Sequence, residues 1–139
     1  MVINWKDPKC KVTANFTVND ACYLPSWAKL HAPTVQEQAN LTLICQFLEK
    51  VRALVGKPLK VHCMIRPPEY NKQIGGRPQS AHLEGLACDF SVQGMTADKV
   101  RELLVPKLEL WKFRMEKLPG SNWVHVDLKA PITSRYFAP

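Results

Sequence analysis

No stretch of this sequence stays apolar long enough to cross a bilayer, which argues against a helical membrane protein and against any membrane partner. The opening residues, MVINWKDPKCKV, carry charge where a secretory leader has its apolar centre, so cytoplasmic synthesis without a signal peptide is expected. The 5 cysteines, at 10, 22, 45, 63 and 88, are odd in number, scattered, and never spaced C-x-x-C. That argues against a disulfide scaffold and a four-cysteine zinc site, and favours reduced, mostly buried thiols. Internal repeats and low-complexity segments are absent. The chain has no run of five basic residues, although Lys and Arg outnumber Asp and Glu by 19 to 12 and the net charge is +7. Such a charge attracts anionic partners in general, from nucleic acid to acidic wall polymer. No nucleic-acid motif accompanies it, so no nucleic-acid partner is expected, and a solvated basic surface is the plainer reading.

What is present fits one domain over residues 1–139, with 46% hydrophobic residues to build a core. Residues 1–33 read as an irregular, aromatic-rich wrap, interrupted by a short helical turn after Thr17, where Thr17 and Asp20 have capping-box spacing. Residues 34–139 read as the core. Thr34 and Glu37 cap a helix whose apolar positions are Val35, Ala39, Ile44, Phe47, Leu48, Val51, Leu54 and Val55, and which Gly56 and Pro58 end. LKVHCMIR alternates as a strand, with Leu59, Val61, Cys63 and Ile65 on one face and Lys60, His62, Met64 and Arg66 on the other. PPEYNKQIGGRPQ reads as a loop. LACDFSV reads as a strand with Cys88, Phe90 and Val92 opposite Ala87, Asp89 and Ser91. Thr96 caps a short helix with Val100, Leu103 and Leu104 inward. KLELWKFRM reads as a third strand, with a helix left open, and WVHVDL as a fourth. The order predicts an α+β fold with helices on one side of a mostly antiparallel sheet.

Within SAHLEGLACDF stand His82 and Asp89, two residues with metal-ligand chemistry. A catalytic zinc takes three protein ligands and leaves a position open. Of the other histidines, His31 falls in the N-terminal wrap and His62 in mid-strand, whereas His125 would share a sheet face with Asp89 if their strands are neighbours. Gly85 permits the tight path from His82 into the strand. The pair alone does not separate such a site from a hydrogen-bonded core histidine.

SAHLEGLACD resembles the S-x-H-x-x-G-x-A-x-D signature of the LAS-type zinc peptidases. These include D-alanyl-D-alanine carboxypeptidases, phage L-alanyl-D-glutamate endolysins and the hedgehog signalling domain. IRPPEYNKQIGG is similar to the loop that precedes the signature in one branch of that group, and WVHVDL to the strand that closes the site; FTVNDACYLPSW resembles phage-encoded members. The resemblance implies the hedgehog/D-Ala-D-Ala peptidase fold and one zinc ion on His82, Asp89 and His125. It implies an oxyanion-stabilising Arg66, a Ser80 that hydrogen-bonds the substrate or a metal ligand, and a pocket shaped by Tyr70 and Asn71. It also implies a monomeric, phage-type enzyme that acts on peptidoglycan peptides and is released to the cell wall or carried on the virion.

One position departs from the pattern. Where relatives place a carboxylate as general base, three residues before the last histidine, this chain has Asn122. Asp127 is the nearest substitute and reads equally as a base or as a residue orienting a ligand; Glu84, Glu69 and Glu116 stay open. Two functions therefore compete: a zinc peptidase, and a non-catalytic zinc-binding phage structural or wall-binding relative.

Overall fold

The computed structural model describes residues 2–139; Met1 lies outside the described residues. The N-terminal segment is more regular than its sequence suggested. Strands β1 (Lys11–Thr13) and β2 (Phe16–Thr17) form a hairpin. Thr17 then caps helix α1 (Val18–Cys22): its hydroxyl accepts the Asp20 N–H at 3.2 Å, while the Asp20 carboxylate accepts the Thr17 N–H at 2.9 Å. A second hairpin pairs β3 (Tyr23–Leu24) with β4 (Lys29–Leu30). The segment plugs Val12, Phe16, Val18, Ala21 and Cys22 into the hydrophobic core.

Helix α2 (Val35–Val55) starts in the expected capping box and ends at Gly56, whose φ of +71° suits glycine and whose N–H donates to the Arg52 carbonyl. Its buried stripe is Leu41, Ile44, Cys45, Phe47, Leu48, Val51 and Val55. Val35, read as part of that stripe, is exposed, because the first turn projects past the edge of the core.

Among the described residues, one sheet has five strands: β5 (Leu59–Cys63), β6 (Ala87–Val92), β7 (Arg114–Glu116), β8 (Val124–Asp127) and β9 (Tyr136–Phe137). Their spatial order is β5-β6-β8-β7-β9, antiparallel except for the parallel pair β7–β9. Cys88, Phe90, Val92, Met115, Val124 and Val126 bury one face against the cluster that contains α2 and α4 (Ala97–Leu104). This is the expected α+β architecture, and it leaves the opposite sheet face free for polar residues.

Three expectations need correction. The segment 67–79 is not all loop: α3 (Pro68–Gln73) forms there, with Pro68 at a helix-starting position. KLELWKFRM is not one strand. A 3-10 turn over Val105–Lys107 leads into α5 (Leu108–Trp111), Lys112 adopts a left-handed φ of 53°, and only then does β7 begin. Leu108 and Trp111 sit at helical spacing, whereas buried Phe113 and Met115 alternate as a strand does. Finally, the pairing of β5 with β6 slips between Val61 and Cys63. Val61 stands opposite core-facing Phe90, but Cys63 stands opposite Asp89, and Met64 is buried rather than outward.

Replacing Thr34 with Ala removes the α2 capping box and is expected to lower stability by about 1 kcal/mol. Urea denaturation checks this through a lower midpoint at unchanged slope.

Candidate metal centre

The polar face of the sheet assembles the site by register. In the β6–β8 ladder Asp89 lies directly opposite His125 and Ala87 opposite Asp127. In the β7–β8 ladder Arg114 lies opposite Asp127. Period-two alternation therefore sends Asp89, His125, Asp127, Arg114 and Glu116 to the side that Phe90, Val124 and Met115 avoid.

His82 arrives from outside the sheet, on a 3-10 turn over Ala81–Glu84. Ser80 caps this turn by accepting the His82 N–H at 3.2 Å, so its role here is to seat a histidine. Gly85 closes it at φ +73°, where an added Cβ would lie 3.1 Å from Ile65 Cδ1 and 3.2 Å from Leu41 Cγ. One backbone bond and one side-chain bond dock the turn onto the segment that follows β5. Arg66 N–H donates to the His82 carbonyl at 2.9 Å, and His82 Nδ1 lies 2.6 Å from the Met64 carbonyl.

A carbonyl only accepts, so His82 Nδ1 carries the proton and Nε2 presents a lone pair. Nε2 is buried and makes no hydrogen bond, although Asp89 Oδ1 is 3.2 Å away. His125 is arranged in the same way. Its Nε2 lies 2.9 Å from Asp127 Oδ2 and its Nδ1 2.8 Å from Asp89 Oδ1. A neutral imidazole has one N–H for these two carboxylates, so a second proton or a metal ion is needed at one nitrogen. One atom from each of His82, Asp89 and His125 falls within 4.8 Å of the others. An orphaned buried nitrogen, a second imidazole short of a proton and a shared carboxylate oxygen fit a divalent metal of the kind that nitrogen and oxygen ligands hold.

When protons occupy the site instead, the electrostatics show the same deficit of positive charge. Burial alone would lower the His82 pKa, but Asp89, and after it Cys63, outweigh burial and push it up to about 10. His125 is also raised against burial, by Asp127 and Asp89. Burial would raise the Asp89 carboxyl, yet the two histidines hold it far below the usual carboxylate range.

Arg66 borders the metal group. Its Nη2 donates to Asp89 Oδ2 at 3.2 Å, Nη1 to Asn71 Oδ1 at 3.2 Å, and Nε reaches Cys63 Sγ at 3.3 Å. Asn71 is buried and spans the loop, with Nδ2 donating to the Arg77 carbonyl at 2.8 Å. The second glycine of the pair, Gly76, packs on this amide: an added Cβ would sit 2.0 Å from Asn71 Oδ1. Tyr70 does not reach the cleft. It is buried, its hydroxyl accepts the Ser26 N–H at 3.2 Å, and its ring meets Trp27 edge-on at 5.0 Å, tying the N-terminal segment to the arginine loop. His31 pairs with Glu37 and His62 with Ser91, both away from the group. Asn122 is exposed and lines a smaller side pocket with His62, Ser91, Trp123 and Asp89, the last two of which also line the main cleft.

The family profile of Peptidase M15 matches residues 15–127. The chain belongs to the peptidase M15 family. A search of the curated proteins finds no match. In this M15 chain the three motif residues open onto a cleft of about 860 Å³, which Arg66, Ser80, Arg114, Glu116 and Trp123 also line. No helix among the described residues is long and apolar enough to cross a membrane.

Sequence reasoning missed Arg114 and left Glu116 open as one of several candidate bases without placing it at the site. Arg114 grips Asp127 through two bonds, Nε to Oδ1 at 2.7 Å and Nη2 to Oδ2 at 2.9 Å. The signal was there in the alternation of Arg114, Met115 and Glu116, but reading a strand back to Lys107 hid where that alternation begins. Asp127 lies behind His125, fully buried. Of its two readings this is the geometry of an orienting carboxylate.

Asp127→Asn should weaken divalent-metal affinity by about 10–100-fold, measured by chelator competition. A pH dependence follows from His82, whose folded pKa of about 10 lies above its ordinary 6.5. The protonated site stabilises the metal-free fold below the unfolded value, and that stability is lost as pH rises through the folded one. A metal must displace those protons. Thermal denaturation with and without zinc should therefore show a stabilisation by metal that widens from about pH 6 to about pH 8.

Proposed function

We propose that this M15 chain is a zinc metallopeptidase that hydrolyses peptide bonds of bacterial peptidoglycan, as a carboxypeptidase or endopeptidase. The observation that carries the reading is the grouping of His82, Asp89 and His125, with His82 Nε2 buried and unbonded and His125 Nδ1 2.8 Å from Asp89 Oδ1, beside a cleft that also presents Arg66. His82, Asp89 and His125 hold the ion. When bound, zinc supplies the Lewis acidity that polarises a peptide carbonyl and acidifies a water.

The chain's own residues do the rest. The Met64 carbonyl and Asp127 each fix one imidazole tautomer. Arg66 spends three of its five N–H groups on Cys63, Asn71 and Asp89, which hold the guanidinium still and leave the others for the developing oxyanion. Ser80 positions His82 and faces the substrate from the cleft wall. Trp123, 44% exposed at the cleft, offers an apolar surface to the peptide. The net charge of +7 favours association with an anionic wall polymer. A monomer, made in the cytoplasm of an infected cell and released to the wall as a phage lysin is, accords with these features.

The test is incubation of the zinc-loaded protein with purified peptidoglycan and Ala-containing muropeptides, followed by mass spectrometry. Wild type should release peptide or D-alanine, and His82→Ala should lose both zinc and cleavage. One equivalent of zinc and wall pull-down without hydrolysis would instead establish the non-catalytic reading. Intact substrate together with unchanged zinc binding by His82→Ala would remove both.

A further inference from the structure

The peptidase reading leaves a proton without an acceptor, because Asn122 cannot take one and does not line the main cleft. Three carboxylates do line it: Asp89, Glu116 and Asp127. Asp89 belongs to the metal group. Asp127 is saturated. Its Oδ1 accepts from Arg114 Nε at 2.7 Å and Lys129 N at 3.1 Å, and its Oδ2 from Arg114 Nη2 at 2.9 Å, with His125 Nε2 also at 2.9 Å. Glu84 is 52% exposed and pairs with Lys129, and Glu69 is exposed in the first turn of α3; neither lines the cleft.

Glu116 differs from all of these. On β7 it follows core-facing Met115, so it shares the polar face with Arg114. Its side chain is 20% exposed, and Oε1 lies 3.9 Å from His125 Nδ1, the nitrogen that stands 2.8 Å from Asp89 Oδ1. That distance is too long for a hydrogen bond, so the carboxylate stands beside the group without being engaged by it. The pairing of β7 with β8 on one side and β9 on the other fixes the backbone that carries it.

We propose that Glu116 is the general base of this enzyme, an assignment that rests on the peptidase reading above. The oxygen of the attacking water bonds to the carbonyl carbon as its proton passes to Glu116 Oε1. The C–N bond then breaks, the leaving nitrogen takes that proton, and Glu116 returns to its carboxylate form. One water is consumed, a carboxyl and an amine are formed, and nothing is oxidised or reduced. The base that the resemblance places three residues before the final histidine is here supplied by the neighbouring strand.

Glu116→Gln keeps the shape of the side chain and removes its basicity. In the zinc-loaded full chain, kcat on muropeptides should fall by about 10²–10⁴ while zinc stays at one equivalent with unchanged affinity. A kcat within about tenfold of wild type overturns the assignment. So does loss of zinc, which would make Glu116 a ligand. A second measurement needs no substrate: acetohydroxamic acid titrated into the cobalt(II)-loaded protein and read by visible absorption. This acid gives up a proton on binding to the site, and Glu116 would receive it. Wild type should therefore bind at least about tenfold more tightly than Glu116→Gln, and equal affinities overturn the proposal. If wild type cleaves no muropeptide but the affinity difference holds, the base stands and only the peptidoglycan substrate falls.

Discussion

The centre depends on one antiparallel register. Asp89 and His125 are cross-strand partners, and their neighbours Phe90 and Val124 are partners on the other face. The pairing that buries an apolar couple thus presents an ionisable one, and a slip of one residue would exchange the two. Burial of Cys88, Phe90, Val124 and Val126 makes that slip costly, so the hydrophobic core fixes the position of the site.

The parts outside the ladder are held by a relay that begins in the N-terminal segment. Ser26 binds the Tyr70 hydroxyl on α3, and α3 also carries Asn71, which holds Arg66 and the loop at Arg77. A second tie, from Ile65 N–H to the Ala21 carbonyl at 3.2 Å, anchors the end of β5. The early residues, which contribute no ligand, therefore set where the arginine and the histidine turn can sit. The bonds from Ser26 and Ala21 give part of this irregular backbone its hydrogen-bond partners.

Much of this was legible in the sequence. Asp89 and His125 could be read as sharing a face because strands announce their faces by period two, whereas Ser80 entered through the family signature and its capping of the His82 turn emerged only from the structure. Helix α2 declared both its ends through Thr34, Glu37 and Gly56. Other features rest on pairings that one strand does not encode. The bulge that turns Cys63 towards Arg66 depends on how β5 meets β6. The start of β7 depends on Lys112 leaving the helical region, and the parallel strand β9 has no signature in its two residues. Tyr70 belonged to a matching motif, but its function is set by Trp27 and Ser26, more than forty residues earlier in the chain.

Asp89 shows most directly how the parts constrain one another. Its Oδ1 faces both histidines, while its Oδ2 accepts Arg66. The two oxygens share a single delocalised charge. The stronger the pull of the guanidinium on one, the poorer a donor the other would be to a bound metal. On the proposed reading, metal acidity and oxyanion stabilisation would be set jointly by one carboxylate. Substitutions at Arg66 and at the histidines are then coupled, and their separate effects do not sum.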